Sequence, residues 1–452
     1  MKKNVFIVGL LLCGCLFLCA CGATSQATGG TLRVCLDEET LYLYRPWVQR
    51  FAQENPDVKI EYVKIPSSFS VKTGQSTPQL IEKRAQFLEK LRVDIMAGKG
   101  PDVYIANTYY AGDPTQDLFP DLEKSMRAGV FANAEELMQQ DKSFDRSAFL
   151  PQVMRAGQMD GKQYLFPLGY NTQGLLVTDA LLQATGFDVE RSQSSPAAFL
   201  EQCQNLWAEF PDVMPLLQTP LLDYNAAKVQ LDDEAFRTIL PLWKNYMRQD
   251  LPEKTALDDE HFAECVAPKT NYDRLFIAGS GINAEKACYW AKGGEAKMQL
   301  VPVPNETGKV NGTVCAIAAI GANSKNKQTA FALVNLLLSN EAQMGEIENT
   351  GTVVLLSSTN GGLPVRRDSI QAYLQSFVQK TAERTGVVLP DAATLDSFSA
   401  VEEKLDRVCL PESTRLQQEL QQALTPYFEG KAETPDADLA ALSQKWSYYL
   451  AE

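Results

Sequence analysis

Fifty-six carboxylates, one histidine and ten cysteines are the residues of this 452-residue chain with the reach for covalent or acid–base chemistry. Glycoside hydrolysis needs two carboxyl groups facing one bond, an acid and a base or nucleophile. No pair stands out by spacing, and among 56 acids chance juxtaposition is expected. His261 is the single histidine and lies in Asp258-Asp259-Glu260-His261, a stretch that reads as solvated surface. One histidine without recognisable neighbours gives neither a His-rich metal site nor a hydrolase triad. Cys13, Cys15, Cys19 and Cys21 crowd the N-terminus, while Cys35, Cys203, Cys265, Cys288, Cys315 and Cys409 are scattered, without a C-x-x-C pair. That spacing is neither a zinc signature nor a disulfide framework. Buried thiols packing as small apolar side chains are the reading, with one or two disulfides left open for an oxidising compartment. The expectation is therefore no enzyme, no catalytic residue, no metal and no cofactor.

The N-terminus carries the next signal. Lys2 and Lys3 precede an apolar run from Val5 to Leu18, and small residues follow, the layout of a secretory signal over residues 1–20. Leu18-Cys19-Ala20-Cys21 resembles the cleavage box of bacterial lipoproteins. The resemblance implies that Cys21 becomes the first mature residue and carries diacylglycerol on sulfur, with fatty acyl chains such as palmitate. About 17 apolar residues is the short limit for a membrane span. One acyl chain holds a membrane only marginally, whereas two anchor stably. The expected location is the cell membrane, lipid-anchored on the extracytoplasmic face. Removing residues 1–20 takes away two lysines and no acid, leaving 40 basic against 56 acidic residues, a net charge of −16 instead of −14. Such a surface repels phosphate backbones, which speaks against nucleic-acid partners.

The elements that must position any site follow a regular pattern. Roughly 430 residues exceed one hydrophobic core. Residues 21–30 are small and polar and read as a flexible tether. Leu32–Leu36 reads as a strand, and Thr40–Asn55 as a helix that stops before Pro56. Val58–Val63 alternates like a strand, and Thr77-Pro78 supplies a cap and first-turn proline for a second helix. Gly98–Pro101 ends that helix and Asp102–Ala106 is the next strand. Later strands are expected at Leu165–Pro167 after a Gly161 turn, at Leu300–Pro304 and at Cys315–Ile320, and helices at Thr329–Leu338, Leu416–Tyr427 and Asp438–Leu450. Leu200–Phe210 has helical spacing and places Trp207 in a core. Alternating strands and helices predict an α/β fold with a mainly parallel sheet. With no long linker, two lobes joined by several chain crossings fit best.

Four phrases then occur in order: Phe51-Ala52-Gln53-Glu54-Asn55-Pro56-Asp57-Val58, Ala97-Gly98-Lys99-Gly100-Pro101-Asp102-Val103, Asp160-Gly161-Lys162-Gln163-Tyr164-Leu165-Phe166-Pro167, and Gly361-Gly362-Leu363-Pro364-Val365-Arg366. Together they resemble the extracellular solute-binding proteins of sugar-type ABC importers, family 1, related to maltose-binding protein. One phrase departs: Ala278-Gly279-Ser280-Gly281-Ile282-Asn283-Ala284 stands where the family has Gly-Lys-Ala-Ala-Met, so the loop around Tyr289-Trp290 is expected to differ in shape. The resemblance implies a two-lobed periplasmic-binding-protein-like (type II) α/β fold with the ligand cleft between the lobes. Its expected parts are residues 31–168 plus 318–355 as one lobe and 169–317 plus 356–452 as the other. Crossings are expected near Phe166–Asn171, Cys315–Ile320 and Val353–Leu363. It also implies a monomer whose partners are a small solute, a sugar foremost, and the permease subunits of the importer. A surface sensor or adhesion lipoprotein with the same fold is the alternative, and a glycoside-processing enzyme the third reading.

In α/β sheets ligands collect outside the carboxyl ends of the strands. That rule selects Asp37, Glu38 and Glu39 after the first strand, Asn107, Tyr109 and Tyr110 after the third, and Tyr170 and Asn171 after Pro167. A sugar offers hydroxyls at its rim and C–H faces above and below, so aromatic walls and in-plane carboxylates or amides suit it. Tyr109, Tyr110, Tyr170 and Trp290 are the candidate walls, and Glu38, Asn107 and Asn171 the candidate hydrogen-bonding groups, with Asn271 a further amide. Asp37-Glu38-Glu39 also suits the dipole of the helix that follows.

Overall fold

The computed structural model describes residues 29–70, 75–108, 114–203, 208–209, 220–248, 275–276, 278–279, 297–344, 362–370, 372–376 and 391–451. Cys21, Tyr109, Tyr110, Trp207, His261, Asn271 and Trp290 lie outside these residues.

Strand β1 (Gly30–Asp37) runs parallel to β2 (Val58–Ile65) on one side and to β3 (Val103–Asn107) on the other. Helix α1 (Leu41–Glu54) connects β1 to β2 and buries Tyr44, Trp47, Val48 and Phe51, spaced i, i+3, i+4, i+7 along one face. Asn55 ends it by donating from Nδ2 to the Phe51 carbonyl at 2.9 Å. Helix α2 (Pro78–Met96) returns the chain to β3. Its start is fixed as the sequence predicts: Thr77 Oγ1 accepts from the Leu80 N–H at 3.3 Å, and Pro78 occupies the first turn, where no intrahelical donor is lost. Short helix α3 (Leu122–Arg127) follows.

Asp160 and Gly161, both with positive φ (50° and 73°), make a two-residue turn between Gln158–Met159 and Lys162–Gln163. The chain then enters β4 (Leu165–Thr178), 14 residues long. Helices α4 (Pro196–Cys203) and α5 (Glu234–Arg248), strands β5 (Met298–Pro302) and β6 (Val310–Ile320), helices α6 (Lys327–Leu337) and α7 (Ala392–Glu403), strand β7 (Leu405–Cys409), and helices α8 (Thr414–Phe428) and α9 (Asp436–Ala451) complete the described elements.

The central sheet has the order β2-β1-β3-β6-β4, with β6 antiparallel to both β3 and β4. The two long strands change partners part-way. Leu165–Tyr170 of β4 pairs with β6, whereas Gln173–Thr178 pairs with Ala278–Gly279 and with β5. Val314–Ile320 of β6 lies between β3 and β4, whereas Val310–Thr313 pairs with β7. The β6 register slips between Val314 and Ala316 and again between Ala316 and Ile317. Such irregularities bend and twist a strand where its pairing ends. Two bodies therefore share two strands: one built on β1–β3 and α1, α2 and α6, the other on β5, β7 and α7–α9. Helix α7 lies against β5, where Thr394 Oγ1 donates to the Met298 carbonyl at 2.9 Å. Helix α9 packs on α8, where Trp446 Nε1, fully buried, donates to Glu419 at 2.9 Å.

Two features differ from the sequence reading. The sheet is mixed where a mainly parallel one is expected, because β6 runs antiparallel to β3 and β4, and β5 antiparallel to β4. Helix α4 is described over Pro196–Cys203, and Ala208–Glu209 is a strand paired in parallel with Leu275–Phe276. At Ala208–Glu209 the expected helix is replaced by a ladder whose partner lies far along the chain, and local periodicity carries no record of such a partner.

Cys35, Cys203, Cys315 and Cys409 are free thiols. Burial pushes Cys315 and Cys409 up to about 12, and Cys35 and Cys203 further in the same direction. The thiolate is the reactive form, so the expected result of alkylation followed by peptide mapping is that these four stay unmodified in buffer and all react in denaturant. Rapid native labelling of Cys35 or Cys315 is the opposite outcome. Among the described residues no helix is long and apolar enough to cross a membrane, and no group of His, Cys, Asp or Glu is arranged to hold a metal ion.

Candidate functional site

The order β2-β1-β3 sends the chain from β1 to one side and then back across it to β3. Connections diverge between β1 and β3, which leaves a crevice at their carboxyl ends. A cavity of about 50 Å³ occupies that crevice, walled by Asp37 at the end of β1, Ile105–Thr108 of β3, Asp117–Pro120, Ile317 of β6, and Pro411–Thr414 at the entry to α8. At roughly 10–15 Å³ per water, it has room for a few solvent molecules.

The floor is a buried ion pair. Arg84 of α2 is 1% exposed and Asp37 2%. The guanidinium donates to Asp37 Oδ2 at 2.6 Å, to the Pro66 carbonyl at 2.8 Å and to the Gln116 carbonyl at 3.0 Å. One side chain thus ties together the ends of β1 and β2 and the turn before Asp117, and the charge-assisted bonds fix their geometry. Asp37 Oδ1 also accepts from the Glu39 N–H at 3.0 Å, shaping the turn into α1. Glu39 accepts from the Ser68 N–H and hydroxyl, each at 2.8 Å, and so holds the segment after β2.

The opposite wall is polar as well. Glu412 accepts backbone N–H bonds from Leu221 (2.8 Å) and Leu222 (3.4 Å). Burial outweighs those two bonds and, with the nearby Asp121 charge, pushes the Glu412 carboxyl up to about 7. Thr108 donates from its hydroxyl to the Val314 carbonyl and from its N–H to the Cys315 carbonyl (3.0 Å), which pins the end of β3 beside the β6 irregularity.

No family model matches the chain, and no curated protein matches it. Solved structures do. The sugar-binding protein MalE from the phytopathogen Xanthomonas citri is similar over 93% of this chain and 98% of its own, with a TM-score of 0.64 and 17% identity. The ABC substrate-binding protein Lmo0181 from Listeria monocytogenes, solved with cycloalternan, is similar over 94% of this chain and 100% of its own (TM-score 0.55, 12% identity). The GacH receptor of Streptomyces glaucescens, solved unliganded and with acarbose, matches over 94% and 99% (TM-score 0.55, 16% identity). The fold is that of the two-lobed, MalE-like solute-binding proteins.

Within this MalE-like fold the candidate residues fall into distinct places. Asn107 lines the cavity, and its Oδ1 is buried without a hydrogen-bond partner among the described residues. Glu38 is exposed one residue beyond the cavity wall and accepts from the Ser67 N–H at 3.3 Å. Tyr170 is wholly buried where β4 changes partners, paired by a bridge to Leu363, and burial holds its phenol well above the usual range. Asn171 is half-buried beside it, and neither Tyr170 nor Asn171 is part of this cavity's wall. Tyr109, Tyr110 and Trp290 lie outside the described residues. The sequence reading did not select Arg84, Asp117 and Glu412, which the fold brings to the cavity. Arg84 carried a signal: it sits four residues before Leu88 on the apolar side of α2, where a charge needs a buried partner.

Proposed function

We propose that this protein captures an extracellular solute, a mono- or oligosaccharide, and hands it to an ABC importer. The observation that carries the reading is the cavity at the β1/β3 switch point, lined by Asn107, whose buried Oδ1 has no partner among the described residues, inside a MalE-like fold. A solute contacting both lobes favours the closed form, because only that form makes both sets of contacts. The lobes are residues 31–168 plus 318–355 and 169–317 plus 356–452. The proposed crossings lie near Phe166–Asn171, Cys315–Ile320 and Val353–Leu363; β4 changes partner just after the first, and β6 just before the second. Glu38, Asn107, Tyr109, Tyr110, Tyr170, Asn171 and Trp290 remain the candidate ligand contacts, Asn107 first among them.

Cys21 is the proposed lipidation site, after removal of a signal over residues 1–20. The anchored monomer then works at the extracytoplasmic face, its ligand-closed form docks on permease subunits, and no bond in the solute is made or broken. A thermal-shift screen of the purified protein against sugars, amino acids, peptides and polyamines tests the reading, since a ligand selective for the folded state stabilises it by RT ln(1 + [L]/Kd). A dose-dependent rise with one sugar class is the expected result. A rise confined to amino acids or peptides overturns the substrate class, and silence across the screen shifts the balance to a sensor or adhesion role.

A further inference from the structure

Beside the cavity, the two lobes meet in a cluster of carboxyl and phenol groups. Asp121 uses Oδ1 to cap α3, accepting from the Lys124 N–H at 2.8 Å. Its Oδ2 accepts from the Tyr449 hydroxyl of α9 at 2.6 Å and from the Tyr224 hydroxyl. Arg127, at the end of α3, donates to the Tyr224 carbonyl. Lys124 Nζ lies 3.4 Å from the centre of the Tyr449 ring, and the Arg415 guanidinium of α8 lies 5.3 Å from the same ring. A six-residue helix of the β1–β3 lobe thus grips two separate segments of the other lobe, the Tyr224 segment and α9, and Arg415 of α8 braces the same Tyr449 ring.

Two more carboxyls sit inside this contact, Glu123 of α3 and Glu412 before α8, and neither has an ion-pair partner within 4.0 Å among the described residues. The groups that face them come from every packed element. Asp121, Lys124 and Arg127 belong to α3 and its cap, Asp223 and Tyr224 to the segment before α5, and Arg407 and Cys409 to β7. Arg415 and Tyr449 come from the adjoining α8 and α9, and Asp117 lines the same cavity as Glu412.

We infer that this cluster is a proton-operated latch between the lobes: proton uptake at Glu123 and Glu412 favours the gripped arrangement, and their ionisation favours separation. The inference rests on the two-lobed capture reading, as regulation of that same cleft. Burial, with neighbouring acids adding, pushes Glu123 up to about 8 and Glu412 up to about 7 in the gripped form. A glutamate returned to water titrates near 4.3. The gripped form therefore binds the extra protons, so its advantage is full below about pH 4.3 and is lost as pH climbs through about 7 and 8.

Small-angle X-ray scattering on the purified, ligand-free protein from about pH 5.5 to about pH 8.5 tests this. The radius of gyration is expected to grow with pH as the closing constant falls about tenfold or more across the range. The double variant Glu123→Gln, Glu412→Gln is expected to stay compact at high pH. Tyr449→Phe, which removes one hydroxyl and leaves the packing, is expected to open at lower pH than the parent. A pH-independent radius in the parent protein overturns the latch, as does a double variant that opens in step with the parent. Should the double variant not fold, the parent and Tyr449→Phe profiles decide alone. Because no solute is present, a flat profile refutes the latch without touching solute capture, and a silent ligand screen refutes capture without touching the pH response.

Discussion

Arg84→Ala is expected to lower the unfolding free energy by roughly 3–5 kcal/mol in urea denaturation. The reason is not the strength of the ion pair, since desolvating two charges offsets most of their attraction. It is what removal leaves behind. Asp37 is 2% exposed, and without the guanidinium its Oδ2 becomes a buried charge with a principal partner gone. The Pro66 and Gln116 carbonyls lose donors at 2.8 and 3.0 Å in the same step. Replacing both partners at once, Arg84→Met with Asp37→Leu, removes the orphaned charge and is expected to recover a large part of the loss. An Arg84→Ala variant within about 1 kcal/mol of the parent means that water reaches Asp37 and the cavity floor is not the dry clamp its geometry implies. The same clamp sets the spacing between the ends of β1 and β2, so Arg84→Ala is expected to weaken solute binding even where it still folds.

Asp37 and Arg84 also mark the boundary of what local sequence conveys. Strands β1 to β3, the Thr77–Pro78 start of α2 and the Asp160–Gly161 turn are written in periodicity and turn chemistry, and each forms within a residue or two of its expected place. Of the described residues chosen by the rule that ligands gather at strand ends, Asp37 and Asn107 line the cavity, and Glu38, Glu39, Tyr170 and Asn171 do not. Which of three consecutive acids faces inward depended on an arginine 47 residues away. Asp37 turns in to meet it and Glu38 is left in solvent. The wall from Pro411 to Thr414 depended on a chain segment about 300 residues distant, which no local pattern records. The length of β4 was hidden for a related reason. Asn171-Thr172-Gln173 breaks the apolar residues of β4 in its middle and reads as the end of a strand, whereas the strand continues through it and changes partner there.

Gly157→Ala is expected to destabilise the protein by about 3 kcal/mol or more in the same urea experiment, beyond what overpacking normally costs. A Cβ at residue 157 stands 1.9 Å from the Leu165 carbonyl oxygen, 2.7 Å from its carbon and 2.8 Å from Gln163 Nε2. Two of those three atoms are backbone, and that backbone is held from several directions. The Gly157 carbonyl accepts from the Tyr164 and Leu165 N–H groups at 2.9 and 3.1 Å, and Gln163, 1% exposed, donates to the Leu165 carbonyl at 2.6 Å. Relief requires moving Leu165, the first residue of β4, which pairs with Ala319 of β6 and carries the chain into the second lobe. Gly161, four residues on, supplies the contrast. Its φ is +73° and nothing lies within 4 Å of a Cβ placed there, so Gly161→Ala meets only backbone strain of about 1–2 kcal/mol. If Gly157→Ala proves the milder of the two, the hairpin before β4 slides easily, and the start of β4 is a soft edge of the central sheet. If it proves the more severe, the entry to β4 is a rigid anchor, and lobe motion must be absorbed further along, at the partner changes near Tyr170 and Val314, where the strand register already slips.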